Sequence, residues 1–118
     1  GVRAERAVFD GLDLTGTYFD RAKLGFASFR GTQFTGSSLR GASLRKAKLT
    51  DALLDDCDLR NTDLTNVTMT SASARESRFD GAQLFEGLVV IKREILPDGR
   101  SKLILKDPRS GDFTDRVV

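Results

Sequence analysis

A large apolar residue returns at every fifth position of this chain between residues 9 and 84. Five is neither the 3.6-residue period of a helix nor the 2-residue period of a strand. Among the sixteen positions of the series, Ala74 alone is small. The candidate core is therefore Phe9, Leu14, Phe19, Leu24, Phe29, Phe34, Leu39, Leu44, Leu49, Leu54, Leu59, Leu64, Met69, Phe79 and Leu84.

A second series, two residues before each large one, is mostly small, as at Ala22, Ala42 and Cys57. The remaining positions are mostly polar, and glycine recurs among them, as at Gly31 and Gly36. Glycine tolerates a positive φ angle, so the chain can turn a corner within each five residues. If four corners close one coil, residues 20 apart stack and adjacent coils hydrogen-bond as neighbouring strands do. The spacing of five predicts a coil, and a period of 20 is our inference from four-sided closure.

Five consecutive segments resemble the pentapeptide repeat family, whose shorthand is Ala-Asp/Asn-Leu-X-X. "ALLDD", "CDLRN" and "TDLTN", residues 52–66, match it closely, and "AKLTD" and "ASLRK" match it acceptably. The resemblance extends over residues 7–86. It implies an all-β fold, a right-handed quadrilateral β-helix of about four coils. Residues 1–87 are expected to form this solenoid.

The five-residue spacing ends after Leu84, and residues 88–118 are expected to form a separate C-terminal unit. Apolar runs at 88–91 and 103–105 flank "LPDGR", which is a turn signal. We predict a β-hairpin with arms near 89–96 and 101–106, followed by a loop and an ending that is ordered only if it docks. Two interpretations stay open. The hairpin caps the last coil, or it docks to another chain and forms a homo-oligomer.

The composition offers little for catalysis. The chain has no histidine, one cysteine and no glycine-rich phosphate loop, because its glycines recur as corners. Cys57 falls in the small inward series and is expected to be buried. A cluster of acids between Asp51 and Asp63 could bind a cation, but such clusters are more often solvated surface. We expect no enzyme activity, no cofactor and no metal site.

The charges are segregated along the chain. A basic belt runs from Arg30 to Lys48 without an acid, and an acidic stretch follows it. With a 20-residue coil, Asp20, Arg40, Arg60 and Asp80 share one column. In this column Asp20 can pair with Arg40 and Asp80 with Arg60, and the two arginines would still lie side by side. Stacked like charges are unfavourable unless an anion lies between them.

These patterns define a candidate partner-binding set. Arg40 and Arg60, with Arg45 and Lys46 on the next side, are predicted to receive an acidic partner surface. Outward apolar residues add three further candidates: Tyr18, Phe26 and Phe85.

The favoured function is a non-catalytic protein-interaction or scaffold module, such as an accessory subunit of a larger assembly. One alternative, from the family resemblance, is a DNA mimic that regulates a type II topoisomerase, but a net charge of +2 disfavours it. Another is nucleic-acid binding through the basic belt, which lacks interleaved aromatic residues for stacking. No membrane span is expected. The resemblance is compatible with the bacterial cytoplasm or the thylakoid lumen and does not choose between them.

Overall fold

The repeat forms a coil whose successive turns lie directly above one another. The computed structural model describes residues 2–118, and each isolated β-bridge joins two residues 20 apart in parallel orientation. On one side the paired residues run from Arg3 through Lys23, Ser43 and Asp63 to Gln83. The expected 20-residue coil is confirmed, and the all-β class with it.

Each corner is a tight four-residue turn, and the second of its two central residues has a left-handed φ angle. The amide of Ala7, for example, donates to the carbonyl of Ala4 at 3.1 Å across the first corner. At every fifth position from Arg6 to Gly81, φ lies between 55° and 73°. Glycine fills six of these sixteen corners, and other residues, including Phe26, adopt the same φ in the rest. Backbone geometry therefore sets the five-residue period.

The inward series fills the coil. Eleven of the fifteen predicted core residues are buried: Leu24, Phe29, Phe34, Leu39, Leu44, Leu49, Leu54, Leu59, Leu64, Phe79 and Leu84. Phe9, Leu14 and Phe19 are only half-buried. They lie in the first described coil, which has a neighbouring coil on one side only. Met69 is half-buried as well. Phe9 nevertheless stacks on Phe29, with ring centroids 4.9 Å apart and planes 5° apart.

The coil leads into a five-stranded sheet. Its strands are β1 (Asp63–Thr65), β2 (Gln83–Phe85), β3 (Leu88–Ile95), β4 (Ser101–Lys106) and β5 (Phe113–Val117). The order is β1-β2-β3-β4-β5, in which only the β1–β2 pair is parallel. The sequence predicted a hairpin followed by a loop, whereas β5 adds a third antiparallel strand along β4. The C-terminal unit is thus a three-stranded meander that continues one side of the coil.

The meander packs its inner face against the last coil. Val90, Leu103 and Leu105 are buried in the same cluster as Phe79 and Leu84. The guanidinium of Arg93 also donates a hydrogen bond to the carbonyl of Ser77. The last coil therefore has an apolar cover. Within residues 2–118, no helix has the length and hydropathy required to cross a bilayer.

The corner geometry predicts opposite effects for two glycine substitutions. Gly36 has φ +70°, with open space where a Cβ would lie, whereas Gly25 has an ordinary φ and a Cβ contact at 3.6 Å. Gly36→Ala should lower the free energy of unfolding by about 1 kcal/mol, because alanine pays for the left-handed conformation. Gly25→Ala should be neutral or stabilising by about 0.5 kcal/mol. Urea denaturation of both variants measures the difference, and equal effects would contradict it.

The packing of the meander predicts that truncating one of its buried side chains lowers the free energy of unfolding substantially. Leu103 is fully buried, whereas Ile95 is 57% exposed. Leu103→Ala should lower the free energy of unfolding by about 2–5 kcal/mol, and Ile95→Ala, the control, by less than about 1 kcal/mol. Thermal unfolding of both variants checks this. A small loss for Leu103→Ala would mean that the meander does not stabilise the coil.

Candidate functional site

The two stacked arginines share an internal carboxylate. Nε and Nη2 of Arg60 donate to Oδ1 and Oδ2 of Asp58 at 2.9 and 2.7 Å. Nε of Arg40 lies 3.8 Å from Asp58 Oδ2. The anion expected between the arginines is thus supplied by the chain itself. The expected Asp20–Arg40 and Asp80–Arg60 ion pairs are absent from residues 2–118, so these pairings were wrong.

Asp20 has a different role, which recurs at two other positions. Its Oδ1 accepts hydrogen bonds from Ser38 Oγ and from the Arg40 amide, in the next coil. Asp10 accepts in the same way from Ser28 Oγ and the Arg30 amide, and Asp55 from Ser73 Oγ and the Arg75 amide. A serine 18 residues and an arginine 20 residues after each aspartate are the sequence signal of this inter-coil link. These three links were not predicted from the sequence.

A second local motif is Asp-x-Arg. In residues 58–60, 98–100 and 107–109, the aspartate accepts from the backbone amide two residues later and from the guanidinium of that same residue. Charge-assisted bonds of this kind are stronger than neutral ones. The hydrogen bonds from Arg60 hold the pKa of the Asp58 carboxyl below its usual value. The motif therefore neutralises charge locally, within the coil at Asp58 and in the C-terminal unit at Asp98 and Asp107.

Arg45 and Lys46, the other two basic candidates, differ in their surroundings. Arg45 pairs with Asp63 in the next coil at 3.5 Å. Lys46 has no carboxylate partner among residues 2–118, and its Nζ lies 5.4 Å from the centroid of the Phe26 ring. The Arg6 guanidinium lies 4.5 Å from the same centroid. Phe26 therefore sits between cations of the preceding and the following coil, each in cation–π range.

We call this region the basic corner. It comprises one side of the first three coils, within residues 2–6, 22–26 and 42–46, and its members are Arg3, Arg6, Lys23, Phe26, Arg45 and Lys46. Three of them, Phe26, Arg45 and Lys46, were predicted from the sequence, and Arg6 was missed. The signal was available, because Arg6, Phe26 and Lys46 are spaced by 20.

The remaining apolar candidates are not equivalent. The Tyr18 side chain is 82% exposed on a different side of the coil. Phe85 is half-buried rather than outward, because it packs against the core cluster and the Arg116 guanidinium lies 5.3 Å from its ring centroid. The predicted set thus divides into the pair Arg40 and Arg60, the basic corner and isolated aromatics.

Cys57 is buried, as expected. Its Sγ donates to the Phe34 carbonyl at 2.9 Å, and burial raises the pKa of the thiol to about 12. A thiol with this pKa is a poor nucleophile.

The acidic residues do not converge on a common point. Across residues 2–118, no group of three or more potential ligands is placed to hold a metal ion. Asp55, Asp58 and Asp63 instead bind serine or arginine side chains.

Asp58 predicts a dependence of stability on pH. Because its pKa is lower in the folded state, its carboxylate stabilises the fold above the unfolded pKa, and this contribution is lost as the pH falls through the folded value. Asp58→Asn should therefore lower the free energy of unfolding by about 1 kcal/mol at neutral pH, with a shrinking difference below the ordinary aspartate pKa of 3.8. Urea denaturation across pH, with Asp51→Asn as the exposed control, measures this. A difference independent of pH would contradict it.

Comparison with known families now identifies the class of protein. The family model "Pentapeptide repeats" matches eight copies over residues 17–56 and 52–86. The chain belongs to the pentapeptide repeat family, and its coil is the right-handed quadrilateral β-helix of that family. A search of curated proteins found no match.

Three solved structures are similar to this chain. A pentapeptide repeat protein from the Arabidopsis thaliana thylakoid lumen is 29% identical, with 67% of this chain and 63% of that chain covered and a TM-score of 0.45. Rfr23 from the cyanobacterium Cyanothece 51142 is 23% identical, with 64% and 58% covered and a TM-score of 0.46. HetL from Nostoc sp. strain PCC 7120, involved in heterocyst differentiation regulation, is 21% identical, with 82% and 50% covered and a TM-score of 0.49. This chain spans less than two thirds of the length of each.

Proposed function

We propose that this chain is a non-catalytic protein-binding module, a scaffold or accessory subunit that acts through the outer surface of its coil. The observation that carries this proposal is the basic corner, where cations without a carboxylate partner stand at fixed spacing on a laddered backbone. Solenoids suit docking because they present extended surfaces. Phe and Leu side chains fill the interior of the coil, which supports binding at its outer surface rather than inside it.

The DNA-mimic alternative has less support. A mimic of DNA requires an extended negative surface that replaces phosphates. Here Asp58 and Asp63 are bound by arginines, and Asp10, Asp20 and Asp55 are engaged by the next coil. These five aspartates are thus engaged by arginines or by the next coil, which disfavours a continuous negative face built from them.

Site-specific photo-cross-linking tests the proposed function. A photoreactive phenylalanine analogue is placed at one outward position on each side of the coil, at Tyr18, Ser43, Lys48 or Leu53. Each folded variant is irradiated in native extract, and its adducts are identified by mass spectrometry. We expect a discrete heterologous protein adduct from one side, and from Ser43 first.

An inward position provides the control for this experiment. The analogue at Leu105, which is buried under the meander, should give no adduct if the chain stays folded. Self-adducts from every side, or no adducts at all, would contradict a protein-binding module. Self-adducts from an added position on β5, the sheet's outer strand, would instead support a homo-oligomer formed through the meander.

A further inference from the structure

We infer that the basic corner receives a short acidic segment of a partner protein, with Phe26 fixing the separation of the two cations that bind it. This inference rests on the proposed protein-binding function and adds the chemistry of the partner. A carboxylate at the edge of the Phe26 ring would face the Arg6 guanidinium on one side and the Lys46 ammonium on the other. The positive edge of an aromatic ring also favours an anion there.

The charge balance of the corner supports an anionic ligand. Five cations occupy this side of the first three coils, against one acid, Glu5, which pairs with Arg3 at 3.5 Å. Arg45 forms an ion pair with Asp63 of the following coil. Within residues 2–118, Arg6, Lys23 and Lys46 have no carboxylate within ion-pair distance. The corner therefore keeps three cations without an ion-pair partner among the described residues, whereas Arg40 and Arg60 both lie within ion-pair distance of Asp58.

Phenylalanine is energetically unfavourable at the corner position that Phe26 occupies. Its φ is 60°, in a region that aromatic residues rarely adopt. The same column has Asn66 at a corner two coils later, which tolerates this φ at lower cost. Phe26 is also 47% exposed and belongs neither to the buried core nor to the residues packed against it. The left-handed φ itself belongs to the repeat, so it is the presence of phenylalanine at this corner that asks for an explanation.

The position of the ring favours a carboxylate over a nucleic-acid base. Nucleic-acid sites that use aromatic residues stack a base on the ring face. Here the cations of the neighbouring coils lie over the Phe26 ring, at 4.5 and 5.4 Å from its centroid. An anion would therefore meet this exposed residue at the edge of its ring. The same column continues to Glu86. Because Glu86 is negatively charged, an acidic ligand is expected only at the part of the column between Arg6 and Lys46.

The composition of the chain provides a direct reporter. There is no tryptophan, so Phe26→Trp introduces a single one while retaining the ring and the cation–π contacts. Polyglutamate is titrated into this variant, and the tryptophan emission is followed. We expect a saturable emission change that weakens with salt. Binding without an emission change would place the acidic ligand elsewhere and overturn the inference.

Two variants of the wild-type chain test the cations and the ring separately, with fluorescein-labelled polyglutamate and anisotropy as the readout. Arg6→Gln with Lys46→Gln should weaken binding by about tenfold. Lys106→Gln with Arg116→Gln is the matched control, because it removes two cations that also lie over aromatic rings, and should change affinity by less than about twofold. Phe26→Asn preserves a tolerated corner and should weaken binding severalfold. Equal losses in the corner and control variants would indicate non-specific attraction and overturn the inference.

A DNA duplex of matched charge distinguishes the competing ligand class. If the duplex binds more tightly than polyglutamate and changes the emission of the Phe26→Trp variant, the corner takes nucleic acid and the acidic-protein inference is wrong. The cross-linking experiment separates this inference from the proposed function. A partner adduct that survives Arg6→Gln with Lys46→Gln leaves the protein-binding function standing and overturns the acidic-corner assignment.

Discussion

The hydrogen-bonded ladder between coils is the interaction on which the rest of the structure depends. The Ser28 amide donates to the Ala7 carbonyl of the coil before at 2.9 Å, and the Phe29 amide donates to the Lys48 carbonyl of the coil after at 2.8 Å. Each side repeats this alternation. This hydrogen-bond pattern requires each residue to lie directly above the residue 20 positions earlier. The chain achieves this by making one corner with a left-handed φ in every five residues. One added residue would turn the inward Phe and Leu side chains outward.

The ladder also determines the surface chemistry. Because stacked side chains stand one strand spacing apart, about 4.8 Å, each column must hold groups that tolerate close neighbours. Three aspartates meet this condition by binding a serine and an amide of the next coil, and Asp58 does so by binding Arg60. The Arg6, Phe26 and Lys46 column meets it by placing a ring between two cations. Charge left unneutralised by these contacts is confined to particular columns.

The core and the corners could be predicted because both follow from local spacing, and the structure buries most of the predicted core residues. The charged contacts could not, because stacking fixes which Cα atoms are neighbours but not where a long side chain reaches. Arg60 turns to Asp58 in its own coil rather than to Asp80 in the next. The third strand was missed for a related reason. "FTDRV" is short and partly charged, and it is a strand because β4 offers it an edge.

The sequence by itself determined the class of fold, since sixteen five-residue steps with one inward apolar group each permit a stacked coil and little else. The columns were predicted on the assumption that four corners close one coil, and the bridges between residues 20 apart confirm that assumption. Only the tertiary structure decided which cations are neutralised and which remain free. Arg40 and Arg60 have Asp58 within reach, whereas Arg6 and Lys46 have between them an aromatic ring. The physical reason is that ion pairing depends on side-chain reach across coils, and that distance exists only once the coils are stacked.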